Sequence, residues 1–410
     1  MTDWSDDGGL GSGLGEPATS ALAELATASG RYYRLDRWLT NGRSRAKVAI
    51  VFEDSRRRGS SRRLVLKVTT PADPAGQLAD PAGQLAEVLR HWQAYETAPA
   101  AFAAAHLARP VYEPRRLSDG SVLTFAEIAG DDIEGVEVLT VLLNAMLDGR
   151  PVPGCDPGTF ARACGAIVGG ILREWTGRPR IASAWFTVER FLRAHVHDQM
   201  APGGRLHDLS RRYASDEIEI AGEPGALPNP FALARGAYFG DTPVIPALIG
   251  PSHGDVHTDN LLVRVRPAFD GSDYHLVDLA CYEPDGPVTR DAVHLVLYVL
   301  ARRMDVLSAA QQSVLLDALL APEHADGKLL PGWLTDLIRE IESASLAWLR
   351  NTGLQPEYRR QRLLSLCGCA MLYLGRTSTP RENLDWFMRL AARSAAAFMT
   401  ATMPMRGGMR

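Results

Sequence analysis

A short stretch in the second half of the chain carries polar residues at spacings that suit metal and phosphate chemistry. Residues 252–263 read SHGDVHTDNLLV, and residues 274–279 read YHLVDL. Glycine beside Asp255 indicates a sharp loop, and Asn260 follows five residues later. Asp278 closes a second apolar run, so a hairpin would bring it near Asn260. Carboxylate and amide oxygens that face one cleft suit Mg²⁺, which prefers oxygen ligands and phosphate.

A lysine in an upstream apolar strand is the second candidate group. Only three of the 44 basic residues are lysines, namely Lys47, Lys67 and Lys328. Lys67 lies within Leu64-Val-Leu-Lys-Val68, a run typical of a β-strand. A lysine that protects an edge strand from aggregation is the alternative interpretation of this position.

Taken together, His253-Gly-Asp255-x4-Asn260 followed by Val277-Asp278 resembles the catalytic and metal-binding loops of the aminoglycoside phosphotransferase and choline kinase-like family, which shares the protein-kinase fold. The resemblance implies that Asp255 is the catalytic base. It implies that Asn260 and Asp278 hold Mg²⁺ on the phosphates of ATP. It also implies that His253 and Asp291 support the catalytic loop.

The resemblance further implies a nucleotide site in the N-terminal part of the chain. Lys67 corresponds to the strand lysine that holds the phosphates. A glutamate on the following helix, predicted over 81–98, is expected to pair with it. Glu87 lies in the middle of that helix and is preferred, and Glu96 near its end is the alternative.

Two further segments are expected to contact the nucleotide. Gly42 and Ser44 lie in a loop of small residues that would offer backbone N–H groups to phosphate. The segment Glu127–Gly130, including Ile128, would form a hinge with main-chain hydrogen bonds to adenine. The loop around Gly42 lacks the full glycine pattern of a protein kinase.

The predicted fold class is α+β, in the bilobal arrangement of protein kinases. Residues 1–20 are expected to form a flexible tail, 21–129 a small antiparallel N-lobe with one main helix, and 130–410 a mostly helical C-lobe. The predicted N-lobe strands are 45–52, 63–69, 111–117 and 121–128. Residues 53–62 are expected to form a polar hairpin loop between the first two strands. Two later helices show one apolar face each, over 160–172 and 337–348.

Composition excludes several other classes of protein. The chain has 410 residues, 46% hydrophobic composition and a net charge of -4, so it lacks the basic field of a general nucleic-acid binder. No apolar run of membrane-spanning length is present, and the first residues do not resemble a signal peptide. Five cysteines are too few and odd in number for a disulfide scaffold. A cytoplasmic protein without a membrane or nucleic-acid partner is expected.

The predicted activity is transfer of the γ-phosphoryl group of ATP, with Mg²⁺, to a hydroxyl acceptor, with a small molecule favoured. The choice between ATP and GTP stays open. The C-terminal motifs also resemble the kinase-like ternary-complex-associated domain of bacterial conflict systems, which implies a nucleotide-binding pseudokinase or signalling component with protein partners. A remote alternative is a metal-dependent hydrolase, since His253, Asp255, His257 and Asp259 alternate.

Overall fold

The computed structural model describes nine segments of the chain: residues 9–39, 46–55, 60–69, 81–130, 134–150, 152–182, 186–238, 244–324 and 329–402. The chain divides into two compact units. The first comprises Met1–Val136 and His275–Cys281, and the second comprises Glu137–Tyr274 and Tyr282–Arg410. The first unit thus extends beyond the predicted 21–129 lobe and takes in the segment that contains Asp278.

A five-stranded antiparallel sheet forms the centre of the first unit, in the order β1-β2-β3-β5-β4. Buried Leu64, Leu66 and Val68 alternate along β3, so Lys67 lies on the opposite face of the sheet. The strands are β1 Arg31–Trp38, β2 Lys47–Ser55, β3 Ser60–Thr69, β4 Pro110–Arg116 and β5 Val122–Glu127. The helices are α1 Leu10–Leu14, α2 Glu16–Ser29, α3 Pro81–Thr97 and α4 Ala100–His106.

The flexible tail predicted for residues 1–20 is wrong from residue 10 onward. Helices α1 and α2 place Leu10, Leu14 and Ala18 in the same hydrophobic core as Leu64 of β3. These positions recur every four residues, but Gly15, with φ +92°, separates α1 from α2, so the apolar spacing runs across two helices and the nearby glycines obscured it. Lys47 fixes the junction of the two helices by donating from Nζ to the carbonyl of Leu14 at 3.0 Å. Residues 1–8 lie outside the described residues.

The polar loop predicted over 53–62 is also too long. Strand β2 continues to Ser55 and β3 begins at Ser60, with Glu53 opposite Arg62 in the ladder. Glu53 is buried because it accepts hydrogen bonds from Tyr33 at 3.2 Å, Tyr112 at 2.6 Å and Arg62 at 3.0 Å. A fully bonded carboxylate tolerates burial, so its polarity did not end the strand.

The second unit is mostly helical. Helices α6 and α12 pack against each other and bury the two predicted apolar faces, including Phe160, Ile167, Leu337 and Ile341. The helices are α5 Leu139–Leu147, α6 Pro157–Gly170, α7 Val188–Val196, α8 His207–Arg212, α9 Pro230–Ala234, α10 Thr289–Arg303, α11 Ala309–Leu320, α12 Gly332–Trp348, α13 Gln355–Gly375 and α14 Leu384–Thr402.

Short strands complete the chain, and two small sheets among them flank the predicted catalytic loop. Strand β12 lies between β15 and β7, and β13 lies between β14 and β6. The predicted hairpin is therefore the β13–β14 pair. The strands are β6 Val136–Val138, β7 Arg180–Ile181, β8 Phe186–Thr187, β9 Glu217–Ile218, β10 Leu227–Pro228, β11 Val244–Ile245, β12 Leu248–Ser252, β13 Leu261–Arg264, β14 Asp270–Leu276 and β15 Glu283–Pro287.

The predicted α+β fold class is confirmed, with an antiparallel sheet in the N-terminal part and a mainly helical C-terminal part. The first unit has α2 in addition to the one main helix that was expected. Across the described segments, no helix has the length and apolar character that crossing a membrane requires.

Candidate functional site

The loop after β12 is held in shape by a buried carboxylate. Asp291, in the first turn of α10, accepts hydrogen bonds from the backbone N–H of His253 at 2.8 Å and of Gly254 at 2.9 Å. It also accepts one from the Ser252 hydroxyl at 3.0 Å. Gly254 has φ +78°, a left-handed conformation that glycine adopts without strain, and this turns both N–H groups toward Asp291. Asp291 thus holds the backbone at His253 and Gly254, and a part for His253 and Asp291 in supporting catalysis stays a prediction.

Asn260 ends the same loop and is tied back to its start. The amide Nδ2 donates to the carbonyl oxygen of Asp255 at 3.1 Å, across a short 3₁₀ turn over Thr258–Asn260. This hydrogen bond orients the buried amide so that its Oδ1, an acceptor, faces away from the Asp255 carbonyl. The five-residue spacing therefore does bring the two residues together.

The Asp255 carboxylate has three charged or polar neighbours from other parts of the second unit. Arg376, directly after α13, donates from Nη2 to Oδ1 at 2.8 Å. His257 Nε2 lies 3.4 Å from Oδ2, and His294 Nδ1 lies 3.6 Å from Oδ1. Arg376 in turn lies over the ring of Tyr373, 5.1 Å from its centroid. Both carboxylate oxygens are therefore engaged.

These neighbours set the ionisation of Asp255. Burial alone would raise the pKa of Asp255, but the hydrogen bond with His257 and the charge of Arg376 hold it well below its usual range. Burial holds the pKa of His294 well below its ordinary value, so that ring is neutral near pH 7. The positive charge that lowers the pKa of Asp255 therefore comes from Arg376 and not from His294. Asp255 is ionised under all ordinary conditions.

Asp259, the second acid of the loop, has partners of its own. Arg302 donates to Asp259 at 2.6 Å, and the Tyr298 hydroxyl donates to the same oxygen. Hydrogen bonds to Thr140 and Tyr298 together with Arg302 lower the pKa of Asp259 against the opposing effect of burial. The ring of His257 stacks on Tyr298 with centroids 4.3 Å apart. Within the described segments, no group of three or more His, Cys, Asp or Glu side chains is arranged to hold a metal ion.

In the first unit, the structure joins two predicted site residues that are 211 positions apart. Lys67 on β3 donates from Nζ to Oδ1 of Asp278 at 3.0 Å. Asp278 lies two residues after β14 with φ +61°, a left-handed conformation that is uncommon for residues other than glycine. Both side chains keep solvent access, at 34% for Lys67 and 43% for Asp278. The pair is accessible to a ligand.

Helix α3 supplies the third group of this site. Loss of hydration raises the pKa of Glu87, the positive charge of Lys67 opposes the rise, and the negative charge of Asp278 adds to it. Arg90, on the same helix, donates to the carbonyl of Ala280 at 2.9 Å and anchors the turn after Asp278. Glu87 therefore lies in electrostatic range of Lys67, and Glu96 lies one residue before the end of the helix.

One main-chain group of the predicted hinge is already engaged. The Glu127 N–H donates to the carbonyl of Arg109 at 2.8 Å, and the predicted contact of Glu127 with adenine stays a prediction. Ile128 follows the end of β5 and keeps its predicted role as a hypothesis. Gly130 has φ +85°, and a Cβ there would lie 2.9 Å from Nε2 of His275, which requires glycine. Gly42 and Ser44 lie outside the described residues.

Sequence reasoning missed α13, which contacts both β12 and the Asp255 loop that follows it. In the first half of α13, Gln361 makes two hydrogen bonds with the backbone of Leu248 in β12, at 2.6 and 2.8 Å. Fifteen residues later, roughly 22 Å along an ideal helix, Arg376 reaches Asp255. Neither residue belongs to a motif, and arginine is the commonest cation of this chain, so no signal marked them.

Comparisons with known proteins give limited information. No family model matches the chain, and no curated protein matches it. Solved structures do match, among them a protein of Ralstonia eutropha JMP134 provisionally named an aminoglycoside phosphotransferase. It is 13% identical, the match covers 93% of this chain and 98% of that one, and the TM-score is 0.43. At this level, the likeness does not establish a family, an activity or a substrate for the chain.

Proposed function

We propose that the chain is an ATP- and Mg²⁺-dependent phosphotransferase that moves the γ-phosphoryl group to a hydroxyl acceptor, with a small molecule favoured. The ion pair between Lys67 and Asp278 supports this most directly. A strand lysine and a distant aspartate meet there, with Glu87 in electrostatic range of both. In nucleotide kinases of the protein-kinase fold, these residue types hold phosphate, metal and the lysine itself.

Each of the two predicted metal ligands offers the kind of oxygen that Mg²⁺ prefers. Asp278 has an accessible carboxylate, and Asn260 has an amide oxygen that its own hydrogen bond turns away from Asp255. In the proposed function Mg²⁺ would take its remaining ligands from phosphate and water. When bound, the ion would neutralise charge on the phosphates. Lys67 would then exchange Asp278 for a phosphate oxygen.

Asp255 would orient the acceptor and accept its proton. A carboxylate with a strongly lowered pKa is a weak base, but phosphoryl transfer has a loose transition state that depends mainly on positioning and charge. The hydrogen bonds that Asp291 accepts from the loop, and the one that Asn260 donates to the Asp255 carbonyl, keep this carboxylate in place. Such fixed geometry is the contribution that the chain itself makes to the rate.

The test is a Mg-ATP binding and turnover assay with a panel of hydroxyl-bearing acceptors. We expect Mg-dependent nucleotide binding, and turnover that rises with at least one acceptor. Asp255→Ala should remove turnover and leave nucleotide binding nearly unchanged. The proposal fails if neither ATP nor GTP binds in the presence of Mg²⁺, or if Asp255→Ala turns over as fast as the parent protein.

A second candidate function is nucleotide binding without transfer. The contact of Arg376 with Asp255 favours it, because a carboxylate paired with a guanidinium is a weaker proton acceptor. The chain would then act as a pseudokinase, including a signalling role with protein partners. The same assay separates the two functions, since this candidate predicts Mg-nucleotide binding with no phosphoryl transfer to any acceptor.

A further inference from the structure

The carboxylates of Asp255, Asp259 and Asp291 at the predicted catalytic loop are already paired with arginine or fully hydrogen-bonded. Asp255 is paired with Arg376 at 2.8 Å, and Asp259 with Arg302 at 2.6 Å. Asp291 is buried and accepts three hydrogen bonds from Ser252, His253 and Gly254. A cationic acceptor gains affinity from uncompensated carboxylates, so this loop offers it little.

Arg376 is suited to an anionic ligand instead. Its guanidinium has five N–H donors in a planar fork that can hold a carboxylate or phosphate with two hydrogen bonds. It is held over Tyr373, and its side chain keeps 21% exposure, so a ligand can reach it. An anion that takes this place would release Oδ1 of Asp255, the atom that a substrate hydroxyl needs.

One neighbouring side chain makes this exchange feasible. His294 is 1% exposed, and among the described residues neither of its ring nitrogens has a hydrogen-bond partner, while Nδ1 lies 3.6 Å from Oδ1 of Asp255. A small shift of Asp255 would let His294 donate to Oδ1 in place of Arg376. A neutral ring there would leave the second lone pair of Oδ1 to the substrate hydroxyl and would lower the basicity of Asp255 less than a guanidinium does.

We propose that the acceptor of this chain carries an anionic group, a carboxylate or a phosphate, which binds Arg376 and releases Asp255 to contact the acceptor hydroxyl. This inference rests on the proposed phosphotransferase function and specifies its substrate class. Binding of the correct acceptor would thereby create the free base, and water or a neutral alcohol would leave Asp255 paired. A polycationic acceptor would meet Arg376 as a like charge.

The test uses three hexoses of similar size and different charge: glucuronate, glucose and glucosamine. Thermal unfolding of the full chain is followed against the concentration of each sugar at constant ionic strength, with and without a Mg-bound non-hydrolysable ATP analogue. A ligand that binds the native state raises the unfolding temperature by mass action. We expect glucuronate to raise it more than the other two sugars do.

Asp255→Asn gives the sharpest result, because a site for an anion and a site for a cation predict opposite changes in affinity. Removal of the competing carboxylate frees Arg376, so glucuronate should bind this variant several-fold more tightly. A site for a cation would instead lose its attraction. Arg376→Gln should abolish the glucuronate effect, and Arg376→Lys should weaken it, which guards against misfolding of one variant. Arg350→Gln, which changes an exposed arginine, is the matched control.

The proposal is overturned if glucosamine or glucose stabilises the parent protein as much as glucuronate does. It is also overturned if Asp255→Asn weakens glucuronate binding, or if glucuronate stabilises neither protein. Failure of the proposed function would give a different result. In that case the Mg-bound ATP analogue does not change the unfolding temperature and no turnover occurs, while the measurements without nucleotide still show whether glucuronate binds at Arg376.

Discussion

The two ion pairs at the predicted site residues differ in how they are held. Lys67 and Asp278 of the first unit meet at 3.0 Å with about a third or more of each side chain exposed. Asp255 and Arg376 of the second unit meet at 2.8 Å, are less exposed, and have His257, His294 and Tyr373 around them. An exposed pair contributes about 0–1 kcal/mol and exchanges partners easily. The first pair is thus open to a ligand without further support, whereas the second keeps Asp255 in place until an anion competes for Arg376.

The largest expected effect is on catalysis by the second pair. Asp255→Ala should lower phosphoryl transfer by about 10²–10⁴-fold, the usual contribution of a positioned acid or base. Mg-nucleotide binding should stay within about twofold, since Asp255 has no predicted contact with phosphate. Steady-state turnover and equilibrium binding measure the two quantities. Asp305→Ala, at an exposed acid, is the control, and equal losses in both variants would contradict the assignment.

The next effect concerns the support beneath Asp255. Asp291→Ala removes three hydrogen bonds to a buried carboxylate and leaves the N–H groups of His253 and Gly254 without that acceptor. We expect the free energy of unfolding to fall by about 3 kcal/mol. Chemical denaturation measures it, with exposed Asp305→Ala as the control. A loss below about 1 kcal/mol would show that water replaces Asp291 and that the loop is not rigid.

Removal of the cation from each pair tests the comparison itself. Arg376→Gln leaves a largely enclosed carboxylate without its cation, so unfolding should become easier by about 2 kcal/mol. Lys67→Met should change stability by less than about 1 kcal/mol but weaken Mg-nucleotide binding. Lys47→Met is the control for nucleotide binding alone, since Lys47 lies opposite Val68 on the neighbouring strand and its own hydrogen bond to Leu14 contributes to stability. Equal stability losses in the Arg376 and Lys67 variants would contradict the distinction drawn between the pairs.

The parts of the site that follow from local spacing could be predicted. The loop from His253 to Asn260 closes on itself through nearby hydrogen bonds, and the alternation around Lys67 sets its face of the sheet. Both depend on neighbours in the sequence. The same is true of α3, whose start and end were expected almost to the residue.

Contacts made by single residues over long separations could not be predicted. Arg376 meets Asp255 across 121 positions, and no periodic pattern marks an arginine at the end of a helix. The polarity of Glu53 wrongly predicted a loop, because its burial in β2 depends on Tyr112, which lies 59 positions away. In the supposed tail, the apolar spacing of Leu10, Leu14 and Ala18 was present but hidden among glycines.

The smallest expected effect is the dependence of the second pair on pH. The pKa of Asp255 is lowered in the folded protein, so its ionised form stabilises the fold above its unfolded pKa of about 4, and this contribution is lost as the pH falls further. Arg376→Gln raises the folded pKa toward the ordinary value. The stability difference between parent and variant should therefore be constant from about pH 7 to 5 and shrink below about pH 4, by about 1 kcal/mol or less because the pair is partly screened. Urea unfolding at each pH measures it, with Arg350→Gln run in parallel. A difference that stays constant down to pH 3 would mean that Arg376 stabilises the fold through its contact with Tyr373 and not through the charge of Asp255.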